Sequence, residues 1–260
     1  MSAVKVPLRE RLRWKLKQRI DPKLLASLVA LQRRHRLQWP RMGTVRFGQL
    51  HRLTPISTIF GYERGQPIDR YYIESFLASH TACIRGRALE LGDATYIHKF
   101  GQGVQRVDVL HVQEGNPVAT IVADLTDAPQ IPSNSFDCII FTQSLQMIYE
   151  PAAALRTLHR ILKPGGVLLV TSAGIAKIGR RLGRDGWGEY WHFTTQSMEA
   201  ILNETFPGSA ITVSSYGNVL SAISFLHGLA SQELERRELD HRDPDFEVLV
   251  TAHVRKGPHE

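Results

Sequence analysis

The sequence has few of the features that mark membrane-spanning, disulfide-linked or metal-binding proteins. Among its 260 residues there are two cysteines, Cys83 and Cys138, which are far apart and form no C-x-x-C pair. The chain holds eleven histidines, yet spacings such as H-E-x-x-H are absent. No apolar run reaches the length of a membrane span, and the N-terminus has no apolar signal core. We therefore expect a cytoplasmic protein with reduced thiols and without a bound metal.

Basic charge is concentrated near the N-terminus, although the overall composition is that of an ordinary globular protein. Residues 1–50 contain 13 Lys and Arg against only Glu10 and Asp21, whereas residues 51–260 contain 19 Lys and Arg and 23 Asp and Glu. The basic arm alternates cations with apolar side chains, and Asp21-Pro22 is a typical helix start. Two interpretations stay open: surface helices that cover the body, or a peripheral contact with anionic lipid or nucleic acid.

Beyond the arm, apolar strands alternate with amphipathic helices. The expected strands lie at 87–92, 106–111, 120–125, 136–143, 166–173, 210–215 and 247–255, and the expected helices at 150–162, 195–206 and 219–229. Buried strands separated by helices predict an α/β fold with a doubly wound, mostly parallel sheet. The expected organisation is a helical arm at 1–50, a lid helix region at 51–84 and an α/β core at 85–260.

The stretch RALELGDATYIHKFG is the first that predicts a binding site. It is a short strand that carries Glu90 and then turns at Gly92. A dinucleotide loop needs further glycines here, because only glycine lets the backbone approach a phosphate closely, yet Ala94 and Tyr96 occupy such places. This loop therefore disfavours a pyrophosphate ligand.

Two further carboxylates, Asp108 and Asp124, lie on the next two expected strands. Ligands of open α/β sheets bind beyond the carboxyl ends of the strands. A carboxylate there accepts hydrogen bonds from ribose hydroxyls or from an adenine amino group. S-adenosylmethionine has both groups and no phosphate, so it suits this loop better than a dinucleotide.

Several segments together resemble the class I S-adenosylmethionine-dependent methyltransferases, of the methyltransferase type 11 kind. They are RALELGD, RVDVL, IVADL, IPSNSFDCIIFTQSLQMI and LHRILKPGGVLLVT, and the likeness covers roughly residues 85–205. The resemblance implies a Rossmann-like methyltransferase sheet with an antiparallel last strand and helices on both faces. It also implies S-adenosyl-L-methionine as the cofactor.

The resemblance assigns the cofactor to residues at the ends of the first four strands. These are Glu90, Gly92 and Asp93 around the methionine part and ribose, Asp108 at the ribose hydroxyls, Asp124 and Leu125 beside the adenine, and Thr142 and Gln143 beside the methyl-donor pocket. Simpler roles stay open for the three acids. Glu90 can pair with a basic neighbour, Asp108 can face solvent in mid-strand, and Asp124 can cap the following turn.

Two aromatic segments are candidates for the acceptor side. DGWGEYWHFTTQSM contains Trp187, Tyr190 and Trp191, and its His192 is the candidate general base, with a purely structural histidine as the alternative. FGYERGQPIDRYYIESFL predicts a turn leading into a lid helix, with Arg64, Tyr71 and Tyr72 as candidate lining residues. The two tyrosines are adjacent, so at most one of them is expected to face the site.

These observations favour methyl transfer from S-adenosylmethionine to a small-molecule or saccharide acceptor, most simply at oxygen. Two other functions stay open. One is a nucleic-acid methyltransferase that grips phosphates with its basic arm, although TQSL stands where nucleobase amino-methyltransferases carry N/D-P-P-Y/F. The other is a non-catalytic binding protein of the same fold. Peripheral contact of the arm with the inner membrane surface is a further expectation, whereas the sequence predicts no oligomeric state.

Overall fold

The computed structural model describes residues 20–35, 40–179 and 188–258. The chain divides between Leu53 and Thr54 into two units. The N-terminal unit contains helix α1 (Pro22–Arg34) and a 3₁₀ turn at Gly48–Leu50. Helix α1 begins where the sequence predicts, because the Asp21 carboxylate accepts the backbone N–H of Lys23 at 2.7 Å. The first 19 residues of the basic arm lie outside the described part of the chain.

The second unit is built on a seven-stranded sheet. Its strands are β1 (Gly86–Leu91), β2 (Val104–His111), β3 (Ile121–Val122), β4 (Phe136–Thr142), β5 (Leu162–Ala173), β6 (Ala210–Tyr216) and β7 (Leu249–Arg255). They lie in the order β3-β2-β1-β4-β5-β7-β6. The first five are parallel, and β7 runs antiparallel to both β5 and β6. The predicted doubly wound sheet with an antiparallel last strand is confirmed.

Helices cover both faces of this sheet. They are α2 (Ile68–Ala78), α3 (Thr95–Phe100), α4 (Pro151–Ile161), α5 (Thr195–Thr205), α6 (Val219–Leu226) and α7 (Arg236–Asp240). Alternation along β4 explains the two cores: Ile139 and Phe141 pack in one with α4 and α5, whereas Cys138 and Ile140 pack in the other with α2 and α6. In the described part of the chain, no helix is long and apolar enough to span a bilayer.

The third strand is much shorter than its sequence predicts. Only Ile121 and Val122 pair with β2. The chain then leaves the sheet, because the Asp124 carboxylate accepts hydrogen bonds from both the backbone N–H and the hydroxyl of Thr126, at 2.9 and 2.8 Å. These local hydrogen bonds of a side chain compete with the backbone hydrogen bonds of the strand and turn the chain.

Candidate cofactor site

A cavity of about 930 Å³ opens at the carboxyl ends of the parallel strands. Its wall is formed by the loop after β1, the ends of β2 and β4, the turn after β3 and the first turns of α2. The sheet order changes direction between β1 and β4. Open α/β sheets bind ligands at such a switch point, and the volume is at the upper end of small-molecule sites.

Glu90 lies on the cavity wall and holds the loop after β1 in place. Its side-chain oxygens accept the backbone N–H groups of Tyr96 at 3.1 Å and of Ile97 at 2.8 Å, at the start of α3. Burial raises the pKa of Glu90 from 4.5 to about 7, although these two N–H donors act in the opposite direction. Glu90 therefore stabilises the loop itself, instead of pairing with a basic neighbour.

Gly92 gives the loop its open shape. Its φ of +84° lies in the left-handed region, and no atom stands within 4 Å of the place a Cβ would take. Asp93 follows it on the cavity wall and uses a carboxylate oxygen to accept the N–H of Thr95 at 2.8 Å. The backbone at Gly92 thus faces open space in the cavity.

The structure places Asp108 away from the cavity, contrary to the sequence-based prediction. Its carboxylate is 1% exposed and accepts hydrogen bonds from Arg87 at 2.7 Å and from Arg106 at 3.2 Å. These cations hold the pKa of Asp108 below its ordinary value, although burial opposes them. Asp108 lies three residues before the end of β2, about 10 Å short of the strand terminus. At its end β2 contributes Leu110 and His111 to the cavity wall.

Asp124 and Leu125 line the cavity in the turn after β3, as predicted by position. Leu125 is buried, whereas Asp124 is exposed. Asp124 also caps its own turn through Thr126, so the capping role that the sequence left open is present. The capping oxygen is Oδ1, and no hydrogen bond to Oδ2 is formed by the described residues.

Thr142 and Gln143 lie on the cavity wall at the end of β4. Gln143 has a φ of +50°, an unusual conformation for a residue with a side chain. Gln146 fixes it: the Gln146 amide donates to Gln143 Oε1 at 2.6 Å and accepts from the Ser172 hydroxyl at 2.8 Å. Gln146 is buried and no sequence motif indicated it. Strain of this kind is frequent at functional sites.

Three exposed aromatic side chains form a rim beside the cavity, which we call the aromatic rim: Tyr149, Tyr190 and Trp191. The ring centroids of Tyr149 and Tyr190 are 5.3 Å apart, and Trp191 stacks on Tyr149 at 6.4 Å. The backbone N–H groups of Tyr190 and Trp191 both donate to the carbonyl of Gln146, at 2.9 and 3.2 Å. The same residue therefore holds both Gln143 and the aromatic rim.

The family model for a methyltransferase domain matches residues 92–170, from the loop after β1 to β5. The match covers the Gly92 loop and the end of β4, two parts of the cavity wall. This part of the chain matches a methyltransferase domain, in agreement with the resemblance of its motifs to the class I methyltransferases. Proteins of this class use S-adenosyl-L-methionine as their cofactor, as the sequence resemblance implied.

Comparison with known proteins gives partial likenesses. The chain is 48% identical over 44 residues to the ubiquinone/menaquinone biosynthesis C-methyltransferase UbiE of Citrobacter koseri. That match spans 17% of this chain and 18% of the relative's length. Among solved structures, an S-adenosylmethionine-dependent methyltransferase from Mesorhizobium loti is 20% identical with a TM-score of 0.46, covering 73% of this chain and 98% of that one. The [4+2]-cyclase SpnF is 18% identical with a TM-score of 0.48, covering 75% and 84%.

The cavity at the strand ends fits S-adenosylmethionine chemically. Its wall is rich in carboxylates, which suit a sulfonium and an ammonium group. Apolar side chains such as Leu125 and Val112 offer surface for an adenine ring. Gly92 leaves the loop after β1 open to a bound molecule. The residues that would hold the cofactor are therefore those of the β1 loop, the turn after β3 and the end of β4.

The lid segment lines the cavity, but not through the residues predicted from the sequence. Arg64 donates to Glu233 and lies outside the cavity. The Tyr71 hydroxyl donates to Asp240 at 2.7 Å, and the buried Tyr72 donates to the backbone of Leu239 at 3.1 Å. Helix α2 begins after Pro67, and the segment before it and its first turns direct other side chains to the cavity. These are Tyr62 and Gln66 before the helix, and Arg70 and Glu74 within it.

His192 does not reach the cavity either. It lines a separate cavity of about 430 Å³ with Asp245 and Glu247, and its Nε2 lies 3.8 Å from a Glu189 carboxylate oxygen. Phe193 next to it is buried in the core, which turns His192 away from the sheet edge where the main cavity opens. Trp187 lies outside the described residues. Tyr190 lines the main cavity, and Trp191 reaches it only through its stack on Tyr149.

Proposed function

We propose that this chain transfers the methyl group of S-adenosylmethionine to a hydroxyl of a small-molecule or saccharide acceptor. The observation that carries this proposal is the aromatic rim of Tyr149, Tyr190 and Trp191 beside the cavity. Tyrosine and tryptophan present flat apolar faces with polar edges. A sugar ring has the same character, because its C–H faces are apolar and its hydroxyls lie at the edge.

When bound, S-adenosylmethionine supplies an electrophilic methyl group. The chain's contribution is then chiefly to orient the acceptor and exclude water, since an in-line displacement depends strongly on positioning. A hydroxyl acceptor also has to lose a proton to a nearby base. Glu150 follows the rim residue Tyr149 and lines the cavity, so we assign the proton-accepting role to its carboxylate in place of His192.

The proposal is tested with methyl-labelled S-adenosylmethionine and a panel of acceptors. The panel contains alkyl glycosides, simple amines of matched size and short RNA. We expect label in the glycosides with equimolar S-adenosylhomocysteine, and mass spectrometry is expected to place the methyl group on oxygen. Label in the amines or RNA alone would contradict the acceptor class, and binding of the cofactor without transfer to any acceptor would favour a non-catalytic protein.

The aromatic rim has its own test. Tyr190→Ala is expected to raise the acceptor KM about tenfold, because loss of aromatic packing worth about 1.4 kcal/mol corresponds to that factor. The Kd of S-adenosylmethionine should change less than about twofold. His192→Ala, in the separate cavity, is the matched control and should leave both constants unchanged. Equal weakening of cofactor and acceptor by Tyr190→Ala would argue against an acceptor role for the rim.

We further propose that the basic arm contacts anionic lipid. On α1, Leu24, Leu28 and Leu31 recur at helical spacing, and the arm has a large excess of Lys and Arg. The full chain should sediment with phosphatidylcholine vesicles that contain phosphatidylglycerol, but not with phosphatidylcholine alone. Raising the salt from about 0.05 M to about 0.5 M should release it, because salt screens exposed charges. Equal binding to both vesicles, or to neither, would contradict an electrostatic contact.

A further inference from the structure

The charges of the main cavity are strongly unequal. Five carboxylates line it: Glu74, Glu90, Asp93, Asp124 and Glu150. Among the described lining residues, Arg70 is the one arginine or lysine. S-adenosylmethionine carries two positive groups, the sulfonium and the ammonium, and one negative group, the methionine carboxylate. In an acid-rich cavity that carboxylate needs a cationic partner, because like charges repel it from most of the wall.

Arg70 is held in position by hydrogen bonds, but no carboxylate among the described residues forms a close ion pair with its guanidinium. Its Nε donates to the Tyr62 hydroxyl at 3.0 Å and its Nη1 to the Tyr96 hydroxyl at 3.3 Å. Asp69 has a carboxylate oxygen 3.9 Å from Nε, beyond hydrogen-bond distance. The Nη2 group makes no hydrogen bond with any residue that the structure describes. The guanidinium therefore retains donors for a ligand, and its side chain is 30% exposed.

Tyr96 connects this cation to the loop after β1. It lies four residues after Gly92 at the start of α3, and its backbone N–H donates to Glu90 at 3.1 Å. Its hydroxyl reaches across to Arg70 on α2. Tyr96 thus places an arginine beside the loop expected to surround the methionine part of the cofactor.

We propose that Arg70 binds the carboxylate of the methionine part of S-adenosylmethionine and so positions the cofactor. A planar guanidinium offers N–H donors in a fixed fork, and its bonds to carboxylates are among the stronger ones in proteins. Tyr62 and Tyr96 orient it. This inference rests on the proposed function, since it requires that the cavity bind S-adenosylmethionine.

The test compares S-adenosylmethionine with its decarboxylated analogue, which lacks only the carboxylate. Titration calorimetry on the full chain should show that Arg70→Gln weakens the binding of S-adenosylmethionine about 10- to 100-fold, which is the range expected for loss of a charge-assisted hydrogen bond. Binding of the decarboxylated analogue should change less than about twofold. The affinity of Arg70→Lys for S-adenosylmethionine should lie between those of the wild type and Arg70→Gln, because lysine keeps the positive charge but lacks the planar fork of N–H donors. Arg64→Gln, an arginine of the same segment outside the cavity, should affect neither ligand.

Tyr96→Phe provides a second variant that keeps Arg70 itself intact. It removes one hydrogen bond that orients the guanidinium, so the binding of S-adenosylmethionine should weaken a few-fold while the binding of the decarboxylated analogue is unaffected. Equal weakening of both ligands by Arg70→Gln would overturn the inference, because it would mark a structural role. An unchanged affinity for S-adenosylmethionine would also overturn it. Absence of binding to the wild type would overturn the proposed function, and this inference with it.

Discussion

Asp108→Ala is expected to lower the free energy of unfolding by about 2–3 kcal/mol while the folded protein still binds S-adenosylmethionine. Removing one partner of a buried ion pair leaves the other charge poorly compensated, which typically costs about 3–5 kcal/mol. We expect the smaller loss of about 2–3 kcal/mol for Asp108→Ala because the side chains of Arg87 and Arg106 are 29% and 64% exposed. Urea unfolding and titration calorimetry on the same preparation measure both quantities.

Arg106→Ala is the matched control for this prediction. It removes the more exposed partner, at 3.2 Å from Asp108, and leaves the Arg87 bond of 2.7 Å in place. We expect a loss below about 1 kcal/mol, as is usual for exposed ion pairs. If folded Asp108→Ala instead kept full stability and lost cofactor binding more than about tenfold, Asp108 would be a ribose ligand as the sequence predicted.

Stability should also depend on the ionisation of Glu90. Its folded pKa of about 7 lies above the ordinary value of 4.5, because the carboxylate is buried. Between these values the folded state keeps a proton that the unfolded state has lost, so stability is greatest at low pH and falls as the pH rises through 7. The shift corresponds to about 3 kcal/mol, lost between about pH 5 and about pH 8.

Glu90→Gln removes this ionisation and keeps the shape of the side chain. The free energy of unfolding of the variant, relative to the wild type, should rise by about 3 kcal/mol from about pH 5 to about pH 8. Urea titrations of both proteins at several pH values across this window measure the difference. Parallel pH profiles would show that the two N–H donors of α3 offset the burial of the carboxylate.

The sheet was predictable because its signals are local. Apolar strands such as 166–173 alternate with amphipathic helices such as 150–162, and both periodicities are visible in short windows of sequence. The same holds for Gly92 and Gln143, because a residue directly after a parallel strand must lie at its carboxyl edge. The length of β3 was overestimated, since the Asp124 side chain ends the strand through Thr126.

The wall that faces these strand ends was not predictable. Arg70 and Tyr96 bond to each other across two helices, and Gln146 accepts from Ser172 on β5, at hydrogen-bond distances that no spacing in the sequence specifies. His192 lies only two residues from Tyr190, which lines the main cavity, yet it faces another cavity. A sequence pattern indicates that a residue lies near an edge, but the direction of its side chain depends on what packs behind it.

By itself, the sequence determined the α/β class and the part of the cavity made by strand ends, because these follow from chain-local periodicity and turn chemistry, whereas the cofactor class followed from the resemblance of its motifs to the class I methyltransferases. Only the tertiary structure decided the electrostatics of the site. It buried Asp108 between two arginines and placed Arg70 among the carboxylates of the cavity. Charge pairing depends on distances of a few ångströms between elements far apart in the chain, and folding alone sets those distances.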